Sequence, residues 1–255
     1  MNIHQVSKIS LSPDVVDCIV FWTKNPSPMI NRLSELVDYS YYFQFTLNPY
    51  GKDIECNVPS KSNEVIYTFQ RLSDKIGANK VVWRYDPILL NEKYNIDYHI
   101  NYFEKIAYLL KDYTKKCTIS FIDLYRNTKN NVNGLELHEI TIPIKRRLAE
   151  NFSKIAFNYG FTIDTCAEDI ELRDLNISHA KCIDDVLISS ITNSKLKIEK
   201  DKGQRLECGC VESIDIGMYN TCLNGCKYCY ANYSTKTVNK NTQLHDKYME
   251  KNNGA

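Results

Sequence analysis

The sequence lacks an excess of either charge. Lys and Arg number 32 against 31 Asp and Glu, a formal net of +1, so no global field draws the chain towards a polyanion. It also lacks any run approaching the ~18 apolar residues of a membrane span. Its polar opening, MNIHQVSKIS, has none of the apolar core of a secretory signal. Glycine and proline are scarce, at 9 and 7 of 255 residues, which argues against a disordered or fibrous chain. A globular, cytoplasmic protein without a membrane partner is expected, and charge alone neither favours nor rules out nucleic acid.

What the chain has in number is cysteine, ten in all. A chain of this length buries a substantial core and needs no disulfide scaffold. Cys18, Cys56 and Cys117 are scattered over the first 160 residues, whereas Cys166, Cys182, Cys208, Cys210, Cys222, Cys226 and Cys229 crowd the stretch that follows. Clustered thiols in a reducing compartment point to metal.

Short apolar runs alternate with longer stretches of helical spacing, the pattern of βα units around a parallel sheet. The runs at 18–22, 41–47, 81–85, 118–121, 162–165 and 211–216 read as strands. Helices are expected at 28–37, 63–76, 98–110, 144–159 and 184–192, followed by a polar loop at 193–207. The fold expected is α/β: a parallel (β/α) partial or permuted TIM-like barrel with a C-terminal cysteine-rich cluster loop. Residues 1–233 form one domain that includes the loop at 208–232, and the polar stretch 234–255 reads as a flexible tail. His245 in that stretch reads as solvated.

The first three strands end in Asn-Pro or Asp-Pro, at Pro26, Pro49 and Pro87. Such pairs start loops in any fold. In parallel sheets, functional groups also gather at the carboxyl ends of strands, which makes Lys24, Asn48, Arg84, Asp86, Asp123, Asp164 and Glu168 rim candidates. Asp86, Asp123, Asp164 and Glu168 could serve a non-radical hydrolase, although strand-end acids more often cap helices or pair with a cation such as Arg84.

Cys222, Cys226 and Cys229 have the spacing C-x3-C-x2-C, with Tyr228 before the last cysteine and Gly225 free to let the loop wrap a bulky core. Three thiolates so close stay ionised only beside a cation or cluster. A closed zinc site needs four ligands, and Cys208 or Cys210 could supply the fourth. An iron–sulfur cluster also usually takes four cysteines, so three alone leave one iron open. Cys166, Cys182, Cys208 and Cys210 form a candidate second set for zinc or a second iron–sulfur cluster, or Cys166 and Cys182 simply fill the core. Lys195, Lys197, Lys200, Lys202 and Arg205 offer a basic approach to nucleic acid or a partner protein, but Glu199, Asp201 and Glu207 are interleaved.

C-x3-C-x-aromatic-C in the words Gly-Cys-Lys-Tyr-Cys-Tyr-Ala resembles the radical-SAM signature. That resemblance implies a [4Fe–4S] cluster on Cys222, Cys226 and Cys229 with Tyr228 beside it. It implies S-adenosylmethionine on the open iron, cleaved by electron transfer to a 5′-deoxyadenosyl radical, with an electron donor such as flavodoxin or ferredoxin. The Gly-Gly-Glu word that often receives the methionine amino group is missing. The phrases DCIVFWTKNP, YYFQFTLNPYGKDIE, VVWRYDPILL, CTISFIDLY, TCAEDIEL, KCIDD and CGCVESIDIGMYNTCLNGCKYCYAN resemble the domain-of-unknown-function 1848 family. The C-terminal cysteines of that family are similar to the radical-SAM cluster site. The resemblance also implies a further N-terminal segment. Radical-SAM enzymes usually carry the loop after their first strand, so a circularly permuted barrel with 211–216 in that place is expected.

Overall fold

The computed structural model describes residues 8–124 and 126–253. Six strands, β1 (Ile19–Thr23), β2 (Tyr41–Thr46), β3 (Val81–Ile88), β4 (Lys116–Phe121), β5 (Thr162–Thr165) and β6 (Ser178–His179), form one sheet. They lie side by side in chain order and every neighbouring pair is parallel. The sheet is open, with β1 and β6 at its edges.

The helices are α1 (Ser27–Ile30), α2 (Ile66–Ile76), α3 (Ile96–Leu110), α4 (Arg126–Asn131), α5 (Ile142–Asn158), α6 (Asp185–Thr192) and α7 (Thr235–Asn253). Strand order equal to chain order makes each crossover step one strand over in the same direction, which stacks the connecting helices on one face. Alternation along the strands marks that face: Phe43, Phe45, Trp83, Tyr85, Cys117 and Ile119 share a core with the apolar stripes of α2, α3 and α5. Phe103 of α3 stacks on Trp83 at 4.8 Å and on Phe152 of α5 at 4.0 Å. Truncation of such a ring to alanine costs about 3–5 kcal/mol.

On the opposite face, α6 covers Tyr42 and Val82, near the amino-terminal halves of their strands. Two residues further along, the same face turns polar, with buried Gln44, Arg84, Thr118, Ser120 and Asp164. Register places Thr46, Arg84, Thr118 and Asp164 in one row across β2–β5. The helical side of the sheet is therefore covered along its length, while the polar half of the other side is where chemistry-bearing groups gather.

Three expectations are corrected. Residues 211–216 are not a strand: Val211 makes one bridge to Lys200, while Ile214 and Ile216 are exposed, because no layer packs against their alternating pattern. Without that strand, the permuted barrel built on it loses its first element. The sixth strand is instead the two-residue β6, too short and polar to announce itself. Nor is 234–255 a loose tail, since residues 235–253 are the helix α7, and residues 254–255 lie outside the described residues. Ser234 accepts the Thr237 N–H at 3.2 Å as a cap, Val238 is buried, and Asn241 donates to the Asn220 carbonyl at 3.0 Å. The helix expected at 28–37 divides into α1 and a 3-10 turn at Leu33–Leu36.

His99 lies buried in the aromatic layer. Its Nε2 donates to the Leu89 carbonyl at 2.8 Å, which leaves Nδ1 to accept from the Tyr85 hydroxyl at 2.8 Å. This bonding requires a neutral ring, and burial lowers its pKa from 6.5 to about 4. The unfolded chain therefore takes the proton first, so the contribution is complete above about pH 6.5 and is lost as pH falls towards 4. Urea unfolding should show a loss of roughly 3 kcal/mol from this group over that range. The acid slope should be shallower in His99→Gln; equal slopes in the two proteins would refute the assignment.

Candidate functional site

The cysteine loop is closed at its base and fixed to the sheet at its crown. Asn220, buried and in the left-handed region at φ +56°, donates its backbone N–H to the Ala231 carbonyl at 2.9 Å. Its side-chain oxygen accepts the N–H groups of Tyr233 and Ser234 at 2.9 and 3.2 Å, so one residue both closes the loop and starts α7. Asn232 donates to the Cys222 carbonyl at 2.5 Å. On the opposite side, the segment after β2 receives the loop: Asn57 donates to Asn224 O at 3.0 Å and Lys227 donates to Ile54 O at 2.9 Å. Gly225 has φ +62°, and a Cβ there would stand 3.1 Å from Asn57 Nδ2. Only glycine meets both the angle and the approach without strain.

Tyr228 is the anchor. Its ring packs edge-on to Tyr50 at 5.9 Å, and its hydroxyl donates to Glu55 Oε1 and accepts from Asn48 Nδ2, the latter at 3.1 Å. Glu55 is 1% exposed and is held by Lys24 at 2.8 Å and by Lys61. Burial opposes its charge, yet the two lysines hold its carboxyl below the ordinary carboxylate value. Removing one partner of such a buried set leaves the others uncompensated.

Asn48 carries the network into β3, donating to Asp86 O and accepting the Asp86 N–H, both at 2.8 Å. Asp86 Oδ2 takes Arg84 Nε at 2.9 Å and Asp86 Oδ1 takes the Ser120 hydroxyl. Burial opposes the charge on Asp86 also, and Arg84 and Ser120 hold its carboxyl below the usual range. Arg84 Nη1 reaches Cys182 Sγ at 2.8 Å.

Of the rim candidates, the structure thus joins Lys24, Asn48, Arg84 and Asp86. It does not join the others to them as a catalytic carboxylate pair. Asp123 is exposed and paired with Arg205 at 2.6 Å, Asp164 pairs with Lys116 at 3.0 Å, and Glu168 takes Lys145 and the Phe121 N–H, both at 2.7 Å. The basic stretch is likewise engaged within the chain: Lys200 donates to Leu206 O at 2.6 Å, and Lys202 pairs with Glu199 at 3.1 Å. The residue that sequence reasoning missed is Glu55, a single acid in a polar loop with no spacing to mark it.

Cys226 is buried, Cys229 is half-buried and Cys222 is exposed. Burial pushes the Cys226 thiol up to about 12, with Lys24 opposing, and burial also raises Cys229. Metal-free, these two stay protonated. The three thiols lie on one loop, with Cys222 and Cys229 near enough to Cys226 to act on it electrostatically. Among the described residues, no group of three or more His, Cys, Asp or Glu side chains stands converged on one metal position. Cys166, Cys182, Cys208 and Cys210 form a separate group, with Cys182, Cys208 and Cys210 buried.

A model of the family described as a domain of unknown function (DUF1848) matches residues 1–231. The chain belongs to that family. Its match includes the whole sheet, the loop that carries Glu55 and Cys222, Cys226 and Cys229. No curated protein and no solved structure matches the chain. Among the described residues of this DUF1848 member, no helix is long and apolar enough to cross a membrane.

Glu55→Ala should lower stability by roughly 3–5 kcal/mol, the cost of stranding one side of a buried ion pair. Amide exchange in residues 220–232 should quicken, whereas exchange in β3 and β4 should change least. Unaltered exchange in the loop would show that it is not seated through Glu55.

Proposed function

We propose that this protein is a radical-SAM-like iron–sulfur enzyme, with Cys222, Cys226 and Cys229 as the cluster ligands. The observation that carries the reading is the placement of a three-thiol loop, with its buried aromatic, beside the carboxyl ends of β2 and β3. Tyr228 lies between the last two cysteines in sequence and is locked by Glu55 and Asn48. Parallel α/β sheets bind their ligands at that end, and strands laid side by side in chain order accord with a partial barrel. Three thiols without a fourth on the same loop suit a cluster with one open iron better than a closed zinc site.

When bound, the cluster would supply the electron that cleaves S-adenosylmethionine to a 5′-deoxyadenosyl radical. The protein's part is to bind, orient and shield. Cys226 and Tyr228 form the buried side of the loop, and exposed Cys222 leaves its outer side open to S-adenosylmethionine and to an electron donor such as flavodoxin or ferredoxin. Lys24 stands 5.1 Å from the Tyr228 ring centroid and places a cation at the inner wall, where it favours ionised thiols. The second reading, a zinc or iron–sulfur module recognising nucleic acid or a protein partner, draws less support, because the basic stretch spends charge on its own Glu199 and on Asp123.

The full-length chain, reconstituted anaerobically with iron and sulfide and then reduced, should convert S-adenosylmethionine to 5′-deoxyadenosine and methionine. Cys226→Ala should lose cluster absorbance and at least 100-fold of this activity, roughly 3 kcal/mol in the barrier, while keeping its far-ultraviolet circular dichroism. A folded, iron-loaded wild-type protein that neither binds nor cleaves S-adenosylmethionine would overturn the reading.

A further inference from the structure

A second group of sulfurs sits on the polar face of the sheet, away from the cluster loop in sequence. Cys166 follows β5, Cys182 precedes α6, and Cys208 and Cys210 come from the segment after it. The four form a string. Cys166 Sγ lies 3.2 Å from Cys182 Sγ, and Cys182, Cys208 and Cys210 pack into one buried cluster with Cys166 against it.

Hydrogen-bond donors of the protein face two of these sulfurs. Cys210 Sγ accepts two backbone N–H groups, from Cys182 at 3.2 Å and Ile183 at 3.3 Å. Cys182 Sγ faces the guanidinium of Arg84, which is 4% exposed. A neutral thiol is a weak acceptor and gives a buried arginine little; a thiolate gives it a charge-assisted bond. The backbone of Cys182 is fixed as well, its carbonyl accepting from the Tyr42 hydroxyl at 2.5 Å and Gln44 Nε2 at 2.9 Å. Gly209 allows the Cys208–Cys210 segment to lie against this corner: a Cβ there would meet Lys181 Cγ at 3.0 Å and the Ala180 carbonyl at 3.1 Å.

We propose that Cys166, Cys182, Cys208 and Cys210 bind a single tetrahedral zinc ion, a structural centre separate from the cluster loop. Four thiolates complete a closed zinc site without a water or a histidine. Size favours one ion over a second iron–sulfur cluster. Around zinc at ~2.3 Å the sulfurs stand about 3.8 Å apart, close to the 3.2 Å of Cys166 and Cys182, whereas a cubane must hold its thiolates farther apart to fit four irons and four sulfides between them. The sulfurs do not yet converge on one point, and the ion would draw the string into a tetrahedron. Each protonated thiol releases its proton to solvent on binding. Arg84 and the two backbone N–H groups offset the negative charge that results. The centre would tie β5, the start of α6 and the 208–210 segment together, and through Arg84 and Asp86 it adjoins the network that seats the cluster loop.

The test uses the full-length chain with Cys222, Cys226 and Cys229 all replaced by Ala, so that its result does not depend on the cluster. Native mass spectrometry should find one zinc per chain. Replacing zinc with Co2+ should give the intense visible bands of tetrahedral cobalt with sulfur-to-metal charge transfer. The four thiols should resist alkylation until a chelator is added, and Cys182→Ser in this background should weaken zinc binding at least 100-fold. The alkylation measurement in the unsubstituted wild-type protein keeps the test decisive should the serine variant fail to fold. Four thiols that alkylate freely in native protein, a Cys166–Cys182 disulfide in anaerobically prepared protein, or zinc lost with the cluster-loop cysteines would each overturn the proposal.

Discussion

The buried carboxylate of Glu55 is the interaction on which the site depends. It sits 1% exposed in the segment after β2 and takes a proton donor from three directions: Lys24 from the end of β1, Lys61 from the turn before α2, and Tyr228 from the C-terminal loop. A lone charge so placed would be costly, and only this number of partners makes it stable. The loop is thereby attached to the sheet through charge and hydrogen bonding as well as through the packing of Cys226 and Tyr228 into the core. That arrangement leaves Cys222 exposed on the outer side of the loop.

From Glu55 the polar contacts run without interruption along the carboxyl ends of the strands. Tyr228 meets Asn48, Asn48 grips the backbone of Asp86, Asp86 holds Arg84, and Arg84 faces Cys182. Two groups of thiols thus lie at opposite ends of one hydrogen-bonded chain. In such a network the cost of losing one member exceeds the worth of a single bond, because its neighbours are left buried and unpaired.

The strands and helices with strong periodicity were legible in the sequence. β1–β5, α3 and α5 fall within a few residues of their expected positions because alternating or helical apolar spacing reports directly on the core they face. Elements that bury little were not legible. β6 is Ser-His, with no apolar signal, and α7 is a polar helix held by Asn220 and Val238 rather than by a stripe. Val211–Ile216 shows the converse: its alternation reads as a strand, yet no layer receives Ile214 and Ile216. The cysteine loop was visible through its spacing, and so were Lys24, Asn48, Arg84 and Asp86 through the Pro-terminated strand ends. Glu55 was hidden because a loop acid acquires its role only from the lysines and tyrosine that the fold brings to it.

The central claim, that the loop seated by Glu55 carries a metal cluster at the strand ends, is tested most directly by anomalous diffraction. Crystals of the anaerobically prepared full-length protein would be measured on both sides of the iron absorption edge. The account predicts an iron peak enclosed by Cys222, Cys226 and Cys229, with Tyr228 still bonded to Glu55 beneath it. An ordered loop that holds no iron, in protein whose iron lies elsewhere, would contradict it.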